Sequence, residues 1–139
     1  MEAKISWKAA NQRCKSVFPF GNQRLVTRPH LASIGNKEEE IFVNSLLGGT
    51  KNIWVGGKRL QDGTWIWTDG TEFSYKNWGP GEPNDDPNQG HPELGKEDSI
   101  LINWISTGKW NDIPSNHGRS ETLPYSNKVK GFICQYKAI

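Results

Sequence analysis

Residues 74–97 form a polar stretch, rich in Pro and Gly, with neither helical nor strand periodicity. Inside a compact domain a loop of that length is usually functional or disordered. Six carboxylates (Glu82, Asp85, Asp86, Glu93, Glu97 and Asp98) fall within 82–98, where Lys96 is the only basic residue, although the whole chain has a formal net charge of +2. Acids so close together repel unless they splay into solvent or share a cation. Amides accompany them at Asn84, in Glu82-Pro83-Asn84, and at Asn111, in Trp110-Asn111-Asp112. Carboxylate and amide oxygens, with no Cys or His among them, are the donors that a hard ion such as Ca²⁺ selects.

The 139 residues suffice for one domain with a core of its own and are too few for two ordinary ones. Only 34% are hydrophobic, so the seven Trp, five Phe and three Tyr must supply much of the buried area. The balance of 17 basic and 15 acidic residues, without a basic stripe, argues against nucleic acid as a partner. No apolar run approaches the roughly 20 residues of a membrane span. The opening Met1-Glu2-Ala3-Lys4 has no leader pattern. Cys14 and Cys134 form no Cys-x-x-Cys unit. Taken alone they allow either one long-loop disulfide or two buried thiols.

Ser6 is an N-cap candidate for a helix whose apolar positions are Trp7, Ala10 and Cys14. A Gly-, Pro- and Arg-rich loop follows through 19–30, then a short strand at Leu31-Ala32-Ser33-Ile34. Asn36 should cap a second helix that has Glu38, Glu39 and Glu40 in its first turn, stops at Gly48-Gly49, and buries Ile41, Phe42, Ser45 and Leu46. Further strands are expected at 53–56, at 63–67 between the Asp62-Gly63 and Asp69-Gly70 turns, and at 99–102, 108–110 and 131–136.

In order and spacing these segments resemble the C-type lectin-like domain along most of the chain. Ser6-Trp7 through Cys14 is similar to that family's first helix and first cysteine, and Leu31-Ala32-Ser33-Ile34 followed by Glu38-Glu39 to its second helix region. Trp54-Val55-Gly56-Gly57 is similar to its core strand, and Trp110-Asn111-Asp112 and Phe132-Ile133-Cys134 to its C-terminal hallmarks. The resemblance implies an α+β fold, residues 1–139 as a single domain, with two helices flanking short antiparallel sheets and 74–97 as the calcium-binding loop region. It implies a Cys14–Cys134 disulfide and a secreted or extracellular setting. It also implies a principal Ca²⁺ held by Glu82, Asn84, Glu97, Asn111 and Asp112. The bond before Pro83 is expected to be cis, aiming Glu82 and Asn84 at one point. Vicinal sugar hydroxyls would complete the ion's coordination, donating to Glu82 and Glu97 and accepting from Asn84 and Asn111. The Glu-Pro-Asn order goes with mannose, fucose, glucose and N-acetylglucosamine rather than galactose. Single-site sugar binding is weak, so multivalent presentation as an oligomer is expected, although no coiled-coil segment is present to provide it.

The chain departs from the family pattern in four places. Asp86-Pro87-Asn88-Gln89-Gly90-His91-Pro92 is inserted beside the sugar site. Ser99 and Ser115 stand where an inner cysteine pair is common. Most of the usual N-terminal strand is missing before Lys4. A second Ca²⁺ site would draw on Asp62, Asp85 and Asp98, but Lys58 stands at another position where an acid is usual.

Trp110 reads as core rather than sugar platform, Tyr75 and Trp78 likewise, and His30, His91 and His117 read as surface residues. Glu82 and Glu97 could formally serve a glycosidase. Alternation with amides and a bound Ca²⁺ would keep them ionised and unfit as general acids, and no nucleophile elbow or phosphate loop is present, so the chain is not read as an enzyme. The competing reading is a member of the same fold whose ligand is a protein or ice.

Overall fold

The computed structural model describes residues 5–16, 29–85, 97–103, 108–115 and 129–136. The expectations for the N-terminal strand, most of the 19–30 loop, the 86–92 insertion, His91 and His117 lie outside the described residues.

The first helix, α1 (Trp7–Ser16), starts where Ser6 Oγ accepts the Ala9 N–H at 3.2 Å, and it buries Trp7, Ala10 and Cys14 as their spacing requires. Strand β1 (His30–Leu31) is shorter than expected. After Leu31 the backbone leaves the ladder: Ala32 N–H donates to Ile133 O at 2.9 Å, and Ser33 N–H to the Gln135 side chain at 3.0 Å. Helix α2 (Lys37–Leu47) is capped by Asn36, whose side chain accepts the Glu39 N–H at 2.8 Å, and it ends at left-handed Gly48.

The expected buried face of α2 is wrong. Ile41, Phe42 and Leu46 are 60%, 62% and 60% exposed, Ser45 is exposed as well, and the helix instead buries Val43 and the acid Glu40. The reason is a polar anchor. Glu40 Oε1 accepts from Trp110 Nε1 at 2.7 Å and from Asn77 Nδ2 at 2.8 Å, which turns the helix by its carboxylate rather than by its apolar side.

The central sheet joins β2 (Ile53–Arg59), β3 (Trp65–Trp67), β4 (Ser99–Ile102) and β5 (Trp110–Ile113) in the order β3-β2-β4-β5, all antiparallel, with β6 (Gly131–Phe132) parallel to β2. Strand β5 starts later than the sequence suggests because Gly108 has a positive φ of 81°, outside the extended region. It then continues through Asn111 and Asp112. The last strand splits in two: β6 pairs with β2, and β7 (Cys134–Gln135) pairs with β1.

The core lies on both faces of β2 and β4, following the period of two. Trp54 and Leu101 join Trp7, Ala10, Cys14 and Leu31 on one side. Ile53, Val55, Ile100 and Ile102 meet Trp67 and Trp110 on the other. The indoles also stitch α1 to β2, with Trp7 Nε1 donating to Val55 O at 2.7 Å and Trp54 Nε1 to Ile5 O at 2.8 Å. Cys14 and Cys134 are disulfide-bonded, 120 residues apart, closing α1 onto β7.

Candidate functional site

One end of the central sheet organises the acidic loop. At its start the chain is zipped to the head of β5. Trp110 N–H donates to Asn77 O at 3.0 Å, and Gly79 N–H donates to Trp110 O at 2.8 Å. A turn follows in which Glu82 N–H donates to Gly79 O at 3.0 Å. The Glu82–Pro83 peptide is cis, as expected.

Asp112, fully buried in β5, receives the next two residues. Its Oδ1 accepts the Asn84 N–H at 3.1 Å and its Oδ2 the Asp85 N–H at 2.7 Å. Asp85 in turn accepts the Glu97 N–H on Oδ1 at 3.2 Å. Glu97, also fully buried, leads into β4 at Ser99. The register pairs Ile100 with Asp112 and Leu101 with Asn111, so β4, which Glu97 precedes by two residues, lies alongside the Asn111-Asp112 pair in β5. Backbone hydrogen bonds thus bracket Asn84 to Asp112 and, through Asp85, Glu97 to both, with Asn111 adjacent to Asp112 in β5 and Glu82 two residues from Asn84.

The donors in this bracket are carboxylate and amide oxygens. Asn111 Oδ1 is buried without a hydrogen-bond partner, an arrangement that costs about 1–3 kcal/mol unless something positive meets it. The donor types and that oxygen fit a hard cation. Among the described residues no three His, Cys, Asp or Glu side chains are already grouped as a metal cage.

The three acids expected at a second site are not brought together in the same way. Asp62 sits exposed in the β2–β3 turn, where its Oδ1 accepts the Thr64 N–H at 2.9 Å, a bond that holds its carboxyl below the usual carboxylate range. Asp85 pairs with Arg59, Nη1 to Oδ2, at 2.7 Å. Asp98 pairs with Lys58 at 3.1 Å, and its Oδ1 accepts from Ser99 Oγ and from the Ser115 N–H. The two serines at the inner cysteine positions are thus joined through Asp98.

Aromatic rings back the site. Trp110 is buried, with Trp67, Phe73, Tyr75 and Trp78 at centroid distances of 5.5–6.0 Å around it. That is the core role expected of it, and Tyr75 and Trp78 are half-buried in the same cluster. His30 is half-buried rather than a surface residue, with Nε2 3.8 Å from Asp69. Sequence reasoning missed Arg59 altogether and missed the Glu40–Trp110 anchor. Lys58 at an acid's position was the one visible signal.

A helix-flanked mixed sheet thus carries carboxylate and amide groups at one end. The family model described as "Lectin C-type domain" matches residues 3–136, and the chain belongs to that family, which binds carbohydrate or protein without catalysis. Ladderlectin of Oncorhynchus mykiss is 36% identical over 118 residues, 81% of this chain and 53% of its own length. The chain therefore spans about half of that relative, and 4% or less of the versican core proteins it also matches. Among solved structures, the carbohydrate-recognition domain of the mouse scavenger receptor C-type lectin is 25% identical with a TM-score of 0.65, covering 96% of this chain and 82% of that one. A calcium-independent type II antifreeze protein is 27% identical with a TM-score of 0.59, covering 82% and 74%. No helix among the described residues is long and apolar enough to cross a membrane.

Proposed function

We propose that residues 1–139 form one calcium-dependent carbohydrate-binding domain, selective for mannose, fucose, glucose or N-acetylglucosamine, working outside the cell as a secreted or surface domain. The observation that supports this is the bracket that links Asn84, Asp85, Glu97 and Asp112, together with the buried, unpartnered Oδ1 of Asn111, the residue before Asp112. Glu82, Asn84, Glu97, Asn111 and Asp112 would hold the ion. When bound, Ca²⁺ takes roughly six to eight oxygens and leaves positions for two vicinal hydroxyls. The protein's part is to orient them. Glu82 and Glu97 accept from the sugar hydroxyls, and the amide NH₂ groups of Asn84 and Asn111 donate to them. Presentation as an oligomer would raise the avidity of such a site.

Exchanging Glu82→Gln together with Asn84→Asp keeps oxygen ligands but swaps donor and acceptor positions. Mannose affinity should fall about tenfold or more, a change of roughly 1.4 kcal/mol, and galactose binding should emerge, with calcium affinity changing less. Unaltered mannose affinity would contradict the assignment. The likeness to a calcium-independent antifreeze protein favours a second reading, in which the domain binds ice or a protein. Under that reading, ligand binding persists in chelator.

A further inference from the structure

The two residues that end β2, Lys58 and Arg59, both turn a cation toward the loop acids. Arg59 Nη1 lies 2.7 Å from Asp85 Oδ2, with the two side chains only 20% and 32% exposed. Lys58 Nζ lies 3.1 Å from Asp98 Oδ2 and 3.1 Å from Ser99 Oγ, and it stands 4.5 Å from the centroid of the Trp7 ring. Asp85 is the hub of the bracket. It takes Arg59 on one oxygen and the Glu97 N–H on the other, and its own N–H goes to Asp112, all with a left-handed φ of 45°. One residue thereby ties the end of β2 to the approach to β4 through its carboxylate, and to β5 through its backbone N–H. A second divalent ion at Asp85 and Asp98 would have to displace both cations, or sit beside their two positive charges.

We propose that Arg59 is a positioning residue for the primary ion site. Its guanidinium, with the Lys58 ammonium beside it, stands in for a second ion. By fixing Asp85 it sets Asn84, Glu97 and Asp112 in place before calcium arrives. The domain accordingly takes one Ca²⁺, not two. This rests on the calcium reading above. Arg suits the task because its planar fork stays charged at any accessible pH and holds a carboxylate in a defined direction. Groups that orient metal ligands without touching the metal typically change affinity by about 10- to 100-fold when removed.

Calcium titration calorimetry on the metal-free protein, paired with amide hydrogen exchange in chelator, tests both parts. The wild type should bind one ion. Arg59→Ala should still bind one, about tenfold more weakly, and Arg59→Lys should recover part of the loss. In chelator, the Asp85 and Glu97 amides of Arg59→Ala should exchange faster while Leu101 in β4 stays protected. If Leu101 also loses protection the variant has unfolded, and Arg59→Gln, which keeps the packed stem, carries the same two expectations. Two ions bound by the wild type would overturn the one-ion count. Wild-type affinity together with unchanged Asp85 and Glu97 exchange would overturn the positioning role. No calcium uptake by the wild type would overturn the calcium reading and the ion count, while exchange in chelator still decides whether Arg59 holds Asp85.

Discussion

Glu40 carries a carboxylate into the core of α2's packing face, and burial pushes its pKa above the ordinary 4.5. Hydrogen bonds from Asn77, Trp110 and Asn44 and the charge of Lys109 offset only part of that rise. A raised folded pKa means the native state binds the proton more tightly than the unfolded chain. The associated stability is complete below about pH 4.5 and is lost as pH rises through the folded value. Glu40→Gln keeps an oxygen for Trp110 and Asn77 and cannot ionise. In denaturant melts across pH it should match the wild type in acid and gain on it above pH 4.5, levelling off beyond the folded pKa. A constant offset at all pH values would contradict this. Glu40→Ala leaves the buried Trp110 N–H unpaired and should cost roughly 1–3 kcal/mol or more. In the sequence Glu40 reads as one of three first-turn acids that favour the helix dipole. Its partners lie 37 and 70 residues away, so local pattern could not reveal that it, rather than Phe42 or Leu46, faces inward.

Strand β2 is where the elements converge, and Gly56 sets how closely they can. Its N–H donates to Ala32 O at 2.7 Å, and a Cβ placed there would lie 2.6 Å from Leu31 O, a backbone atom that cannot step aside. Gly56→Ala should therefore cost about 1–3 kcal/mol through overpacking, read as a lower denaturation midpoint with an unchanged m-value. A loss below a few tenths of a kcal/mol would show that β1 yields easily. At this scale much was legible. Both helices, their caps and the positions of β2 and β4 follow from periodicity and turn residues. The strand ends did not, since they depend on partners. The 131–136 run divides at Ile133 because its first half pairs with β2 and its second with β1, a choice no local pattern encodes.

Across the whole molecule, the Cys14–Cys134 disulfide ties α1 to β7 over 120 residues of separation. Removing it as Cys14→Ala with Cys134→Ala should cost about 3–5 kcal/mol by the loop-entropy estimate, seen as a large fall in melting temperature. An unchanged melt would mean the indole stitches between α1 and β2 suffice. The candidate site was legible in its residue types, because Glu82, Asn84, Glu97, Asn111 and Asp112 advertise oxygen donors in a recognisable order. What the sequence could not carry is the charge balance around them. The pairing of Asp85 with Arg59 and of Asp98 with Lys58 depends on where β2 ends in space.

The most direct test of calcium-dependent sugar binding is a glycan array probed with the intact domain in calcium and again in chelator. Binding to mannose-, fucose-, glucose- or N-acetylglucosamine-terminated glycans in calcium, abolished by chelator, is the expected result. Equal binding in both, or no glycan bound in either, would contradict it.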